Sequence, residues 1–311
     1  MTDFSSIFRS PAPQVITVKQ AFCMEVPTIE ICDVGAMAEG VDRYAPLVNE
    51  GIANVNGFEP DAKQFARLQA AKRPRSRYFQ AFLGSGEPAT FHIARYPGCS
   101  SLYEADPTVI DLFSSIGASV GGNFTVSSTA EVKTTRLDDV EGLPAIDFMK
   151  LDVQAAELDV LKGATRTLES VLVIETEVEF VPLYKNQPLF GDIQVFLRDR
   201  GFLFHKFLDI AGRSFRPLNG PGGNPFAATS QVLWADAIFV RDFSKLDRFS
   251  DEQLIKSAAI LLGAYHSHDL VHYLLREYDR RRKTSVAQRY AKTILAQPNL
   301  RTEYMTHKIR P

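Results

Sequence analysis

The chain has 311 residues, with 35 Lys and Arg against 37 Asp and Glu and a formal net charge of -2. That balance excludes the broad basic footprint of a nucleic-acid binder and leaves small molecules or neutral polymers as expected partners. Cys23, Cys32 and Cys99 are too few and too scattered for a disulfide framework and form no CxxC pair, so a reducing, cytoplasmic setting is expected.

No apolar run approaches the roughly 18 to 20 residues that cross a bilayer, so no transmembrane segment is expected. The N-terminus MTDFSSIFRSPAPQVITV lacks the charged start and apolar core of a leader. Residues 1–27 read as an N-terminal extension. From about residue 28, short apolar runs alternate with helical patterns, the signature of parallel strands joined by crossover helices. TIEICDV is predicted as the first strand, with a helix over 43–49. IANVNGFEP follows as the second, leading into the helix DAKQFARLQAAK, and SRYFQAFL and ATFHIARY are extended segments parted by the turn GSGEP. Residues 98–129 are poorly patterned and predict loops with a short helix over 109–116.

AIDFMKLDV is the clearest strand. AELDVLKGATRTLE is the clearest helix, with Leu158, Leu161, Ala164 and Leu168 at helical spacing. SVLVIETE reads as a strand and GDIQVFLRDRG as a helix stopping at Gly201. FLFHKFL and VLWADAIFV complete the set, joined by a glycine-rich loop. These elements place one α/β domain over 28–245. DEQLIKSAAILLGAY, SHDLVHYLLREYDRRRK and a polar tail then predict a helical segment over 246–311. Its run Arg280 to Lys283 reads as a solvated helix end, with an anionic-surface contact as the alternative.

Four predicted strands end in an acid: Asp33, Glu59, Asp152 and Glu175. In open α/β sheets the ligand crevice lies at the carboxyl ends of the strands, so these four are expected along one rim. The turn DVGAMAEG has the layout of a nucleotide-type site, with Gly35 admitting a ligand close to the backbone. It lacks the full G-x-G-x-x-G pattern, and Asp33 opposes a phosphate. A ligand with hydroxyls and a positive centre suits it better, and S-adenosylmethionine (SAM) has ribose hydroxyls, an ammonium and a sulfonium. Glu59, 26 residues after Asp33, is placed to hold both ribose hydroxyls or to cap the following helix beside Pro60.

The chain resembles the FkbM family of SAM-dependent methyltransferases. The resemblance rests on DVGA at 33–36, GFEP at 57–60, KLDVQAAELDVLKGA at 150–164, IETE at 174–177 and PLYKNQPLFGDIQVFLRDRGF at 182–202. It implies the class I methyltransferase fold, a doubly wound, mostly parallel, Rossmann-like sheet of seven strands, and O-methylation of a hydroxyl on a sugar, glycolipid or other natural product. It implies a cofactor site of Asp33, Gly35, Ala36, Glu59, Pro60, Ala81 and Asp152. Two departures stand out: Met37, Ala38 and Glu39 precede Gly40 where the family usually has DVGAN and another glycine soon after, and Ala155 stands where the family commonly has glycine.

Methyl transfer to a hydroxyl is an in-line displacement, so positioning supplies much of the catalysis and a base receives the proton. Asp152 is the first candidate for base or acceptor-orienting group; the alternative is an inert carboxylate held by helix amides. Lys150, two residues earlier on the same sheet face, is expected to balance Glu30, Asp33 or Glu175, with a catalytic lysine as the rarer reading. Glu157 is read as fixing the start of the next helix. Glu175 orients the acceptor or joins Asp152 at a divalent metal, although two acids do not specify one. Ser100, Ser101, Tyr184 and Gln187 are candidates for acceptor contact, each equally readable as a loop-forming residue. His205 reads as a satisfied sheet histidine. His268 and His272 have the spacing of helical metal ligands without a third ligand, and read as surface residues. The rival functions are a catalytically silent methyltransferase-like binding subunit and an NAD-linked Rossmann oxidoreductase. A homo-oligomer is permitted.

Overall fold

The computed structural model describes residues 16–38 and 40–295. Within it the chain divides into two compact units. One gathers the described residues up to Thr28, Val41–Ala53 and those from Leu246 onward; the other comprises Ile29–Gly40 and Asn54–Lys245.

The larger unit is built on ten strands: β1 (Ile29–Val34), β2 (Ala53–Phe58), β3 (Ser76–Phe79), β4 (Phe82–Leu83), β5 (Pro88–Ala94), β6 (Val126–Thr135), β7 (Phe148–Leu151), β8 (Val173–Glu179), β9 (Phe202–Gly212) and β10 (Val232–Arg241). Seven of them form one sheet in the order β3-β2-β1-β7-β8-β10-β9. β1, β7 and β8 pair in parallel, as do β2 and β3, and β10 runs antiparallel to both neighbours. This is the expected doubly wound sheet of the class I methyltransferase fold, with its order reversing between β1 and β7. β4, β6 and β5 form a separate small sheet. β6 corrects the expectation of loop up to residue 129: VSSTAEVKTT is largely exposed and polar on both sides, so it carries no alternation that marks a strand.

Alternation along the central strands sorts the side chains onto two faces. Cys32 and Val34, Met149 and Leu151, and Ile174 and Val178 all fall on one face and join a buried apolar cluster. Leu158, Leu161, Ala164 and Leu168 pack into the same cluster. They do so from a helix shorter than its sequence pattern predicts: Glu157–Lys162 stops at Gly163, and a single turn Thr167–Glu169 follows. Gly163 lies against Gly84, whose carbonyl oxygen stands 2.2 Å from where a β-carbon would be, so the chain presses on the small sheet there and the helix ends.

The smaller unit is helical, with helices Val18–Phe22, Ala45–Asn49, Asp251–Gly263, His268–Arg282 and Val286–Tyr290. The last of these falls in a stretch read from sequence as a polar tail; residues 296–311 of that tail lie outside the described residues. Ser250 and Gln253 form a reciprocal capping box at the start of Asp251–Gly263. Glu277 takes hydrogen bonds from Arg280 and Arg281, which hold its carboxyl down at about 2, and Arg281 also donates to the carbonyls of Leu246 and Phe249. The basic run therefore closes a helix end within its own unit. His268 corrects a second expectation: it is buried, with Nδ1 2.8 Å from the Tyr290 hydroxyl. Among the described residues no helix is long and apolar enough to cross a membrane.

Candidate active site

The ends of β1, β2 and β7 converge at the point where the strand order reverses. Gly35 follows β1 with φ +86°, and a β-carbon there would stand 2.0 Å from the Asp152 carbonyl oxygen. Both the conformation and the space therefore demand glycine. The amides of Gly35 and Ala36 both donate to Phe58 O at 3.0 Å, and Asp152 N donates to Val34 O at 3.0 Å. Ala36 is buried beneath the turn, and the Arg73 guanidinium donates to Ala38 O at 2.6 Å from its far side. Met37, the larger side chain of this turn, is exposed. Glu39 lies outside the described residues.

Glu59 follows β2 and is 9% exposed. Its Oε1 accepts the Asp61 amide at 2.7 Å, while Asp61 itself caps helix Ala62–Ala71 through the amides of Lys63 and Gln64. Capping is thus the work of Asp61. Burial pushes the Glu59 carboxyl up to about 7, against the lowering effect of the Asp61 amide. The Pro60 carbonyl accepts from Gln80, and Ala81 packs against the apolar cluster beneath the sheet.

The charges inside β7 now have places. Lys150 is paired across the sheet with Asp33 on β1 and with Glu175 on β8, and its Nζ lies 3.4 Å from Asp33 Oδ1. All three occupy the face opposite the Met149 and Leu151 cluster. Glu175 is the third residue of β8 rather than its end, because that strand continues to Glu179. The rim acid level with Asp152 is Glu177, which the sequence reading passed over. Period-two counting along ETEVE would have put Glu175, Glu177 and Glu179 on one face.

Gln154 joins the rim acids: its Nε2 donates to Glu177 Oε2 at 2.8 Å and to Asp152 Oδ1 at 3.2 Å. The carboxylate that gathers loop amides here is Glu157, whose Oε1 accepts Val153 N at 2.8 Å. Burial drives the Glu157 carboxyl up to about 7, with the Asp152 charge adding to the shift. Burial likewise raises Glu177 and Glu179 well above the usual carboxylate range, and negative neighbours including Asp152 and Glu157 raise them further. The rim therefore carries carboxyl groups that hold their protons more tightly than usual. Gln154 and Ala155 reach this geometry with φ +53° and +81°. Ala155, buried at the departure from the family pattern, thus occupies a backbone conformation that favours glycine.

Ser101 and Tyr184 are buried and Ser100 is half-buried. Ser100 Oγ accepts Ala94 N at 3.0 Å; Ser101 Oγ donates to the Gln154 carbonyl and accepts Tyr103 N. Tyr184 is 2% exposed, and its hydroxyl donates to Cys99 O at 3.1 Å and lies 3.4 Å from Gln154 Oε1. Gln187 Oε1 accepts the amides of Leu183 and Tyr184. Of these, Ser101 and Tyr184 contact Gln154 directly, and Gln187 holds the Tyr184 backbone. Cys23, Cys32 and Cys99 are free thiols, and burial pushes that of Cys99 up to about 12. Among the described residues no group of three or more His, Cys, Asp or Glu side chains is arranged to hold a metal.

Residues 33–204 match the family model described as the methyltransferase FkbM domain. The chain is similar to the 2-O-methyltransferase NoeI of Sinorhizobium fredii (strain NBRC 101917 / NGR234), with 27% identity over 194 residues covering 60% of this chain and 79% of that protein. Among solved structures it is similar to precorrin-6y C5,15-methyltransferase of Geobacter metallireducens GS-15, with 12% identity, 76% of this chain and 94% of that chain covered, and a TM-score of 0.33. It is also similar to M. jannaschii TYW2 in complex with AdoMet, with 11% identity, 72% and 74% coverage and a TM-score of 0.32. The fold stands on its strand order, independently of these scores. With the family match running through more than half of its length, this chain belongs to the FkbM methyltransferases, whose methyl donor is SAM.

Proposed function

We propose that this methyltransferase acts on oxygen, methylating a hydroxyl of a sugar, glycolipid or related natural product at the rim formed by Asp152, Gln154 and Glu177. The observation that carries this reading is the Gln154 amide bridging two carboxyl groups at the ends of β7 and β8. A hydroxyl must lose a proton as its oxygen is methylated, and a carboxylate at the rim is suited to receive it. The similarity to a 2-O-methyltransferase points the same way.

The residues fit SAM. Gly35 lets the β1 turn pack directly on the Asp152 carbonyl, which brings the two loops of the site together, and the buried Glu59 carboxyl offers acceptors to paired ribose hydroxyls. Asp33, Ala36, Pro60 and Ala81 complete the proposed wall, and Lys150 balances Asp33. SAM supplies an electrophilic methyl group when bound. Asp152 takes the proton of the acceptor hydroxyl and Glu177, its carboxyl raised by burial, helps orient it, while Gln154 fixes their separation. Glu175 acts through Lys150, one row below the rim. Ser101 and Tyr184 hold the Gln154 loop, and Ser100 shapes the turn beside it.

The test is transfer of labelled methyl from SAM to a panel of hydroxyl, amine and thiol acceptors, with NAD as a binding control. Methyl ether formation that falls with Asp152→Asn is expected. Transfer confined to nitrogen or sulfur acceptors, or SAM binding with no turnover on any hydroxyl, contradicts the reading.

A further inference from the structure

A second feature of the larger unit has no part in methyl donation. A cavity of about 600 Å³ opens between the loops at 96–123 and 213–226, within the size range of small-molecule sites. Its lining includes Tyr96, Gly122, Asn123, Arg213, Arg216 and Phe226, and no acid. We propose that it holds an oxyanion carried on a saccharide acceptor, a uronic carboxylate or a sugar phosphate, with the arginines on the oxyanion and the aromatic faces on the sugar ring. The proposal deepens the hydroxyl-acceptor reading and rests on it.

Arg213 carries the argument. Its Nη1 donates to the carbonyls of Gly212 and Phe226, and its guanidinium lies over Trp234 at 4.8 Å and Phe226 at 5.8 Å. Its Nε is buried and has no hydrogen-bond partner. Among the described residues no carboxylate pairs with it within 4.0 Å. A half-buried guanidinium with no acid beside it is costly unless a ligand supplies the anion. Burial alone lowers its pKa, as expected for a cation with no acid beside it.

Arg216 is held ready by its own donors, Nε on Phe113 O at 2.7 Å and Nη2 on Ile116 O at 2.6 Å. The nearby Asp111 accepts from Ser119 Oγ and the amides of Ala118 and Ser119, and its charge also interacts with Arg216, so Arg213 is the cation of the two without an acid beside it. Guanidinium groups fixed in this way bind oxyanions through short charge-assisted hydrogen bonds. Tyr96 and Phe226 are 60% and 66% exposed, large apolar faces kept in water beside a charged pocket. Such faces suit the carbon face of a sugar ring.

The cavity is also joined to the rim. Gly122 lies so close to Gly117 that a β-carbon would stand 2.2 Å from its carbonyl oxygen, which closes the loop that presents Asn123. Asn123 Nδ2 donates to Cys99 Sγ at 3.7 Å, and the Cys99 carbonyl takes the Tyr184 hydroxyl beside Gln154. An anchored sugar would thus sit one loop away from the proposed methyl-transfer rim.

Calorimetry on the full chain, with SAM alone and then with glucuronic acid, glucose 6-phosphate, glucose and inorganic phosphate, in the presence and absence of SAM, separates the two readings. Absent SAM binding contradicts the donor site, while the sugar titrations test the cavity independently. Both anionic sugars should bind, with glucose weaker by about thirty-fold or more. Arg213→Gln should weaken the anionic sugars by about thirty-fold while leaving SAM affinity unchanged. Phe226→Ala, at an exposed position the fold does not need, should weaken glucose 6-phosphate and leave inorganic phosphate alone, and it serves also if Arg213→Gln fails to fold. Glucose binding as tightly as glucuronic acid, no binding of either anionic sugar, or undiminished affinity in both variants overturns the proposal.

Discussion

The two faces of the central sheet share the same strands and differ in almost every physical respect. On one face Met149, Leu151, Ile174 and Phe239 pack into a cluster with the helix Glu157–Lys162. On the other, Asp33, Lys150 and Glu175 form a row of ionisable side chains, continued at the strand ends by Asp152 and Glu177. Period-two alternation lets one set of residues hold the sheet together while the next set is left for the proposed chemistry. Stability and function are therefore separable by substitution, one residue apart.

The point where the two requirements meet should be the least tolerant. Gly35→Ala drives a β-carbon into the Asp152 carbonyl at a left-handed φ, and the expected loss is about 4 kcal/mol or more, seen as an unfolded or SAM-incompetent chain by calorimetry and circular dichroism. On the charged face, Asp152→Asn or Glu177→Gln should lower kcat by about 10²- to 10⁴-fold with little change in melting temperature, measured by labelled methyl transfer. On the apolar face the pattern should invert: Leu161→Ala should cost about 2 to 5 kcal/mol in denaturant titration while kcat of the folded fraction holds. If Leu161→Ala lowered kcat as strongly as Asp152→Asn, the separation of faces would fail.

The smallest effect expected is at Ala155. Its φ of +81° strains any side-chain-bearing residue, so Ala155→Gly should gain about 1 kcal/mol or less of stability, read from the denaturant midpoint. A loss would mean that the buried methyl, packed in a cluster with Cys99, Phe124 and Tyr184, is worth more than the strain it carries.

Much of the sheet was legible in sequence because central strands buried on both sides read as apolar runs, and the two charges in DFMKLDV flagged their own exception. The convergence at Gly35 was legible too, since a glycine after a strand at a predicted crevice has few other reasons to be there. The rim acid was harder. Locating Glu177 instead of Glu175 depends on how far β8 runs past its apolar start, and strand ends are weakly marked in sequence. Hidden from sequence altogether was the cavity, because Tyr96, Asn123 and Arg213 are brought together by loops far apart in the chain. His268 was misread because its burial is decided by Tyr290, on another helix.

Glu59 tests the central claim, that the strand-end acids form the cofactor rim. Its carboxyl is raised from 4.5 to about 7, so the folded chain keeps a proton that the unfolded chain releases. Its contribution to stability is full below about pH 4.5 and is lost as the pH rises through about 7. Glu59→Gln should therefore raise the melting temperature at pH 8 and change it little at pH 4. The decisive measurement is calorimetric titration of SAM into wild type and Glu59→Gln at pH 8. The expected result is tight binding to the wild type and a loss of about ten- to hundred-fold in the variant, even as that variant melts higher. Equal affinity in the two proteins would contradict the assignment of the rim.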